Sequence, residues 1–160
     1  MLNRKKGFTL IEMLVALGIM AVLASAAVPF AETMITREKE AELRTALRVI
    51  RKAIDAFHED LEKGRISSSC NCYSENGYPV SLELLAEGVV SGRAEDRYIR
   101  YLRRIPRDPF SRQDIPPAEQ WGRRGYDDST TSLSWNGSDV YDVYSKSEKK
   151  ARDGSYYADW

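Results

Sequence analysis

The stretch KKGFTLIEMLVALGIMAVLASAAVPF, residues 5–30, decides the fold. From Phe8 to Phe30 it is apolar apart from small polar residues and one acid, Glu12. A helix of that length spans roughly 35 Å at about 1.5 Å per residue, and a bilayer core is about 30 Å thick. The segment is therefore expected to cross a membrane. Glu12 is the anomaly. A carboxylate at the centre of an inserted helix costs about 2.5–3.5 kcal/mol, and ionisable residues inside membranes usually have a task.

Beyond Pro29 the pattern changes but the period does not. Leu43, Leu47, Ile50, Ile54, Phe57 and Leu61 recur at steps of four and three, with Glu, Lys and Arg between them. That is one apolar stripe on an amphipathic helix. Gly64 is a plausible stop. The simplest reading is a continuous helix from Phe8 to about Lys63, bent or loosened near Pro29. Four segments result: 1–7, short and basic; 8–30, membrane-spanning; 31–64, helix continuing into a head; and 65–160, the globular head with its carboxy-terminal loop.

The head reads as a small α+β domain. PVSLELLAEGVV, residues 79–90, suggests a short helix with Pro79 near its start and Gly88 near its end. YIRYLRRIPRDPF, residues 98–110, ends in two prolines and reads as a connector, and DIPPAEQWG after it is turn-rich. WGRRGYDD (121–128) and SDVYDVYSKS (138–147) read as short strands of a small antiparallel sheet, Val140 to Ser145 the better defined. The tail from Glu148 is irregular.

Composition narrows the function. The chain holds 24 basic and 24 acidic residues. Without residues 1–7, which carry Arg4, Lys5 and Lys6, the remainder is at −3. No basic excess favours nucleic acid as a partner. Cys70 and Cys72, in SSSCNCYSENG, fit neither a CxxC redox motif nor a four-ligand zinc pattern, and a loop disulfide in an oxidising compartment is the plainer reading. The pairs Asp127/Asp128 and Asp139/Asp142 have no nucleophile motif or phosphate loop beside them, and the one histidine, His58, lies on the predicted helix. No catalytic residues are assigned, and an enzyme is not expected.

Three readings of the amino terminus remain. An ordinary signal peptide would use Ala24-Ser25-Ala26 as its small-x-small cleavage site. A simple anchor explains the span and leaves Glu12 unpaired. In the third, the chain is cut between Gly7 and Phe8. Copies packed side by side with an axial stagger then set one chain's new ammonium against another's Glu12. Pairing of this kind neutralises both charges and fixes register, because a misplaced charge stays unpaired.

At this point the residues carry a family resemblance. KKGFTLIEMLVALGIMAVLASAAVP closely resembles the amino-terminal region of type IV pilins and type II secretion pseudopilins, and Gly7, Phe8, Glu12 and Pro29 match residue by residue. The resemblance implies cleavage after Gly7 by a prepilin peptidase, N-methylation of Phe8, charge pairing by Glu12, and loosening of the helix at Pro29 in filaments. YPVSLELL, YLRRIPRDPF, WG and VYDVYSKS, with the later DG and DW, loosely resemble the head of the major, G-type pseudopilin.

That likeness implies a subunit of a type II secretion pseudopilus, held in the bacterial inner membrane with its head in the periplasm. Its partners would be copies of itself, minor pseudopilins, the peptidase and an inner-membrane assembly platform. G-type subunits often bind calcium in the carboxy-terminal loop, where Ser145, Ser147, Asp153 and Asp159 are the candidate ligands here. Lys149 and Lys150 depart from the acids usual there, and the acidic pair near the end is reduced to Asp159. The alternatives are a type IV pilus subunit serving adhesion, motility or DNA uptake and, from another class, a membrane-anchored periplasmic binding domain using Cys70, Cys72 or the carboxy-terminal acids.

Overall fold

The structure is a computed structural model that describes residues 7–160, with backbone only for residues 26–29 and 94–96. The expected leader, residues 1–7, lies outside the described residues except for Gly7. The fold is α+β: a long amino-terminal helix carrying the apolar segment, followed by small antiparallel sheets. Helix α1 runs Leu10–Glu62 as one element, so Pro29 does not terminate it. The chain divides into two compact units, Met1–Glu38 and Lys39–Trp160.

In the first unit the apolar side chains lie open: Leu10, Ile11, Leu14, Leu17, Ile19, Val22, Leu23 and Phe30 are all exposed. Such a surface on a single chain marks a membrane or a partner. The helix is long and apolar enough to cross a bilayer.

The second unit is built on the far end of α1. The expected stripe is its core: Leu43, Leu47, Ile50, Ile54 and Phe57 are buried, and Leu61 packs against them at the edge. Each such side chain contributes about 1.5–3 kcal/mol when fully buried. The helix stops at Gly64, which holds a φ of 64°. There the Gly64 N–H donates to the Leu61 carbonyl and the Arg65 N–H to the Asp60 carbonyl. This is the Schellman closure, in which a left-handed residue lets the last carbonyls find donors.

Two two-stranded sheets replace the single small sheet expected. Strands β1 (Val89–Ser91) and β2 (Ala94–Ile99) pair antiparallel, with Val89 opposite Ile99 and an irregularity after Val90. Helix α2 is only Glu83–Glu87, so the valines expected at its end begin β1 instead. A short helix α3 (Pro117–Gln120) leads into β3 (Trp121–Arg124), which pairs with β4 (Asp142–Ser145) in the expected antiparallel sense. Trp121 and Val143 join the α1 stripe in the core, and a 3-10 turn, Tyr157–Asp159, adds Tyr157.

An ionic clasp holds the last residues of the head. Asp142 lies between two guanidiniums, Arg51 of α1 at 2.7 Å and Arg124 of β3 at 3.3 Å. Arg51 also donates to the Val143 and Trp160 carbonyls, and the buried Arg124 to those of Ser132 and Ala158. Each guanidinium thus spends several of its five N–H groups on fixed acceptors. The carboxylates weighed above as catalytic pairs have structural partners. Asp139 is buried and accepts from the Ser74 hydroxyl and the Tyr126 N–H, while Asp128 accepts from the Gly125 N–H.

Candidate processing and assembly site

Gly7, Phe8 and Thr9 precede α1 in irregular backbone. The Gly7–Phe8 bond therefore lies outside helical hydrogen bonding, as a peptidase requires of a scissile bond. Phe8 is 75% exposed. A Cβ at Gly7 would meet nothing within 4 Å. Among the described residues, packing gives no reason for glycine at this position.

Glu12 sits in the first turn of α1. Its carboxylate accepts from the Thr9 N–H at 3.5 Å, and the Glu12 N–H donates to the Thr9 hydroxyl at 3.3 Å. This reciprocal pair is a capping box, in which Thr9 and Glu12 satisfy donors that the helix start leaves open. The carboxylate also lies at the positive end of the helix dipole. The simple-anchor reading left Glu12 unpaired; in the structure it has a local partner. The signature was legible as Thr-x-x-Glu ahead of an apolar run. Pro29 lies within α1.

The four candidate calcium ligands are spread over different environments. Ser145 is buried, and its hydroxyl donates to Asp108 at 2.6 Å while accepting from the Ser147 N–H. The Ser147 hydroxyl accepts from the Lys149 N–H. Asp153 takes both the hydroxyl and the N–H of Ser155, which hold its carboxyl below the usual range. Asp159 lies in the 3-10 turn. Among the described residues no group of three or more His, Cys, Asp or Glu is placed to hold a metal. Calcium binds six to eight oxygens; of these candidates, the Ser145 and Ser147 hydroxyls and one Asp153 oxygen have protein partners. Cys70 and Cys72 form a disulfide, with Cα atoms 5.2 Å apart.

Residues 2–28 match the family described as the prokaryotic N-terminal methylation motif, and Gly7, Phe8 and Glu12 all fall inside the match. Comparison with curated proteins and with solved structures gives no match. The motif supports a pilin-like or pseudopilin subunit handled by a prepilin peptidase, and with the apolar helix it fits membrane anchoring.

Proposed function

We propose that the chain is a filament subunit of a type II secretion pseudopilus, made as a membrane-held precursor, cut after Gly7 and methylated on Phe8. The observation that carries this reading is the methylation motif over residues 2–28, placed on an exposed apolar helix whose far end is the core of an α+β head. The work is mechanical. Subunits leave the inner membrane for a short periplasmic filament that drives proteins through an outer-membrane channel, powered by a separate cytoplasmic ATPase. Copies of the chain, minor pseudopilins and the assembly platform are the partners. Secretion is favoured over a type IV pilus by the loose likeness of Tyr78–Trp160 to G-type heads, since the amino-terminal motif serves both systems.

The test pairs mass spectrometry of the membrane-extracted chain with deletion of its gene. The expected results are a mature chain beginning at N-methylated Phe8 and loss of protein secretion with surface pili retained. Loss of pili with secretion intact would transfer the subunit to a pilus. A chain beginning at Ala27 would overturn the filament reading and make the segment an ordinary signal peptide.

A further inference from the structure

The exposed face of α1 in the second unit carries its charges in blocks. Arg44, Arg48 and Arg51 come first, and Asp55, Glu59 and Glu62 follow. All but the half-buried Arg51 are exposed, and Arg48 and Asp55 have no hydrogen bond or ion pair among the described residues. A cleft of about 550 Å³ runs along the basic block, bounded on its other side by Trp160, over whose ring the Arg44 guanidinium lies at 4.2 Å. The cleft is lined by four cations, counting Lys52, and one acid. Its complement is a row of carboxylates.

The same helix supplies such a row eleven positions on. Arg44 stands eleven residues before Asp55, Arg48 before Glu59, and Arg51 before Glu62. Eleven residues are three helical turns to within about 20°, so these six side chains share one face. Two parallel copies in register would set each charge against its own kind. A shift of four sets Arg44 against Arg48 and Asp55 against Glu59, with one opposite meeting among the six, Arg51 with Asp55; a shift of seven sets Arg44 against Arg51 and Asp55 against Glu62, with one opposite meeting, Arg48 with Asp55. A shift of eleven, about 16 Å along the axis, makes all three meetings opposite in sign. It also brings two like-charged meetings, Arg37 with Arg48 and Lys52 with Lys63.

We infer that the basic cleft of one copy receives the Asp55–Glu62 acidic block of a second, parallel copy shifted by eleven residues. The inference rests on the filament reading and names a contact within it. Of the offsets zero, four, seven and eleven, only eleven sets more opposite than like charges against each other along this face, and since exposed ion pairs attract weakly the blocks act chiefly on register.

The test uses the full chain, expressed in its host with the assembly machinery and compared by sheared filament per membrane-held subunit. Arg48→Glu and Glu59→Arg should each lower filament yield about tenfold, and the double variant, which exchanges the two charges across the contact, should return to within about twofold of wild type. Single variants that assemble normally, or a double variant no better than either single, would overturn the contact while the filament reading stands. Absence of any filament from the wild-type chain, under conditions where its host secretes, would remove the filament reading and this contact with it.

Discussion

One substitution pair separates the cap that Glu12 makes from the charge pairing proposed for it. Its carboxylate caps α1 through Thr9, and under the filament reading proposed above its charge would meet a neighbouring chain's ammonium. Glu12→Ala removes both. Insertion into the membrane should persist, because a charge is deleted from an apolar segment. Filament assembly should fail, because removing one partner of a buried pair costs about 3–5 kcal/mol. Glu12→Gln keeps the cap, since Gln serves at that position of a capping box, but loses the charge. It should assemble at a level between Ala and wild type. The measurement is membrane fraction, leader removal and sheared filament for each variant. Wild-type assembly by Glu12→Gln would mean that capping is what the glutamate does, and the charge-pairing account would fall. The methylation motif over residues 2–28 was readable from the sequence because it is local and is carried by residue type at fixed spacing. The clasp of Arg51, Asp142 and Arg124 was not: Arg51 and Asp142 stand 91 positions apart, and only the folded head brings them together.

Among the elements, those whose signal is periodic were legible and those that depend on a partner strand were not. The α1 stripe repeats over five intervals, and its end is marked by Gly64, so both were plain. Strands β3 and β4 alternate well enough to be read singly. The β1–β2 pair was hidden. β1 is three residues long and follows α2 after Gly88 alone, while β2, AEDRYI, carries two acids and an arginine after its first alanine, none of which favours a strand. Its pairing is a property of the hairpin rather than of either segment. Pairing also explains Gly122, which faces Tyr144 across β3 and β4. A Cβ there would stand 2.2 Å from the Tyr144 ring, which is itself held by the Arg124 guanidinium at 4.2 Å and by a hydrogen bond from its hydroxyl to the Leu133 carbonyl. Gly in a strand often marks such a close approach. Gly122→Ala should therefore destabilise the head by about 1–3 kcal/mol through overpacking. Tyr144→Ala placed in the same background should recover part of the loss, a non-additivity expected only of touching residues. Chemical denaturation of the four-member cycle measures it, and strict additivity would show that the ring is not what excludes a Cβ.

At the scale of the whole molecule, the two units divide the labour between membrane and fold. Among the described residues, every buried hydrophobic of the core cluster lies beyond Lys39, from Leu43 to Tyr157, and none comes from the unit that ends at Glu38. Deleting residues 1–38 consequently removes an exposed apolar surface and no part of that core. A fragment from Lys39 to Trp160 should be soluble without detergent and unfold in one cooperative step, as single domains of this size generally do. Its stability should rest on the α1 stripe despite the loss of most of the helix's length, because short helices are held by packing rather than by propensity. Ile54, at 0% exposure, is the sharpest probe. Ile54→Ala should cost about 2–5 kcal/mol in transfer and cavity terms. For a domain of this size that lowers the thermal midpoint by on the order of ten degrees. Circular dichroism melts of the fragment and its variant decide the matter. A fragment that melts without a transition would mean that the first unit is needed to fold the head. An Ile54→Ala variant that melts with the parent would mean that the stripe is not the core, and the head would then have to be held by its sheets and the Arg51, Asp142 and Arg124 clasp alone.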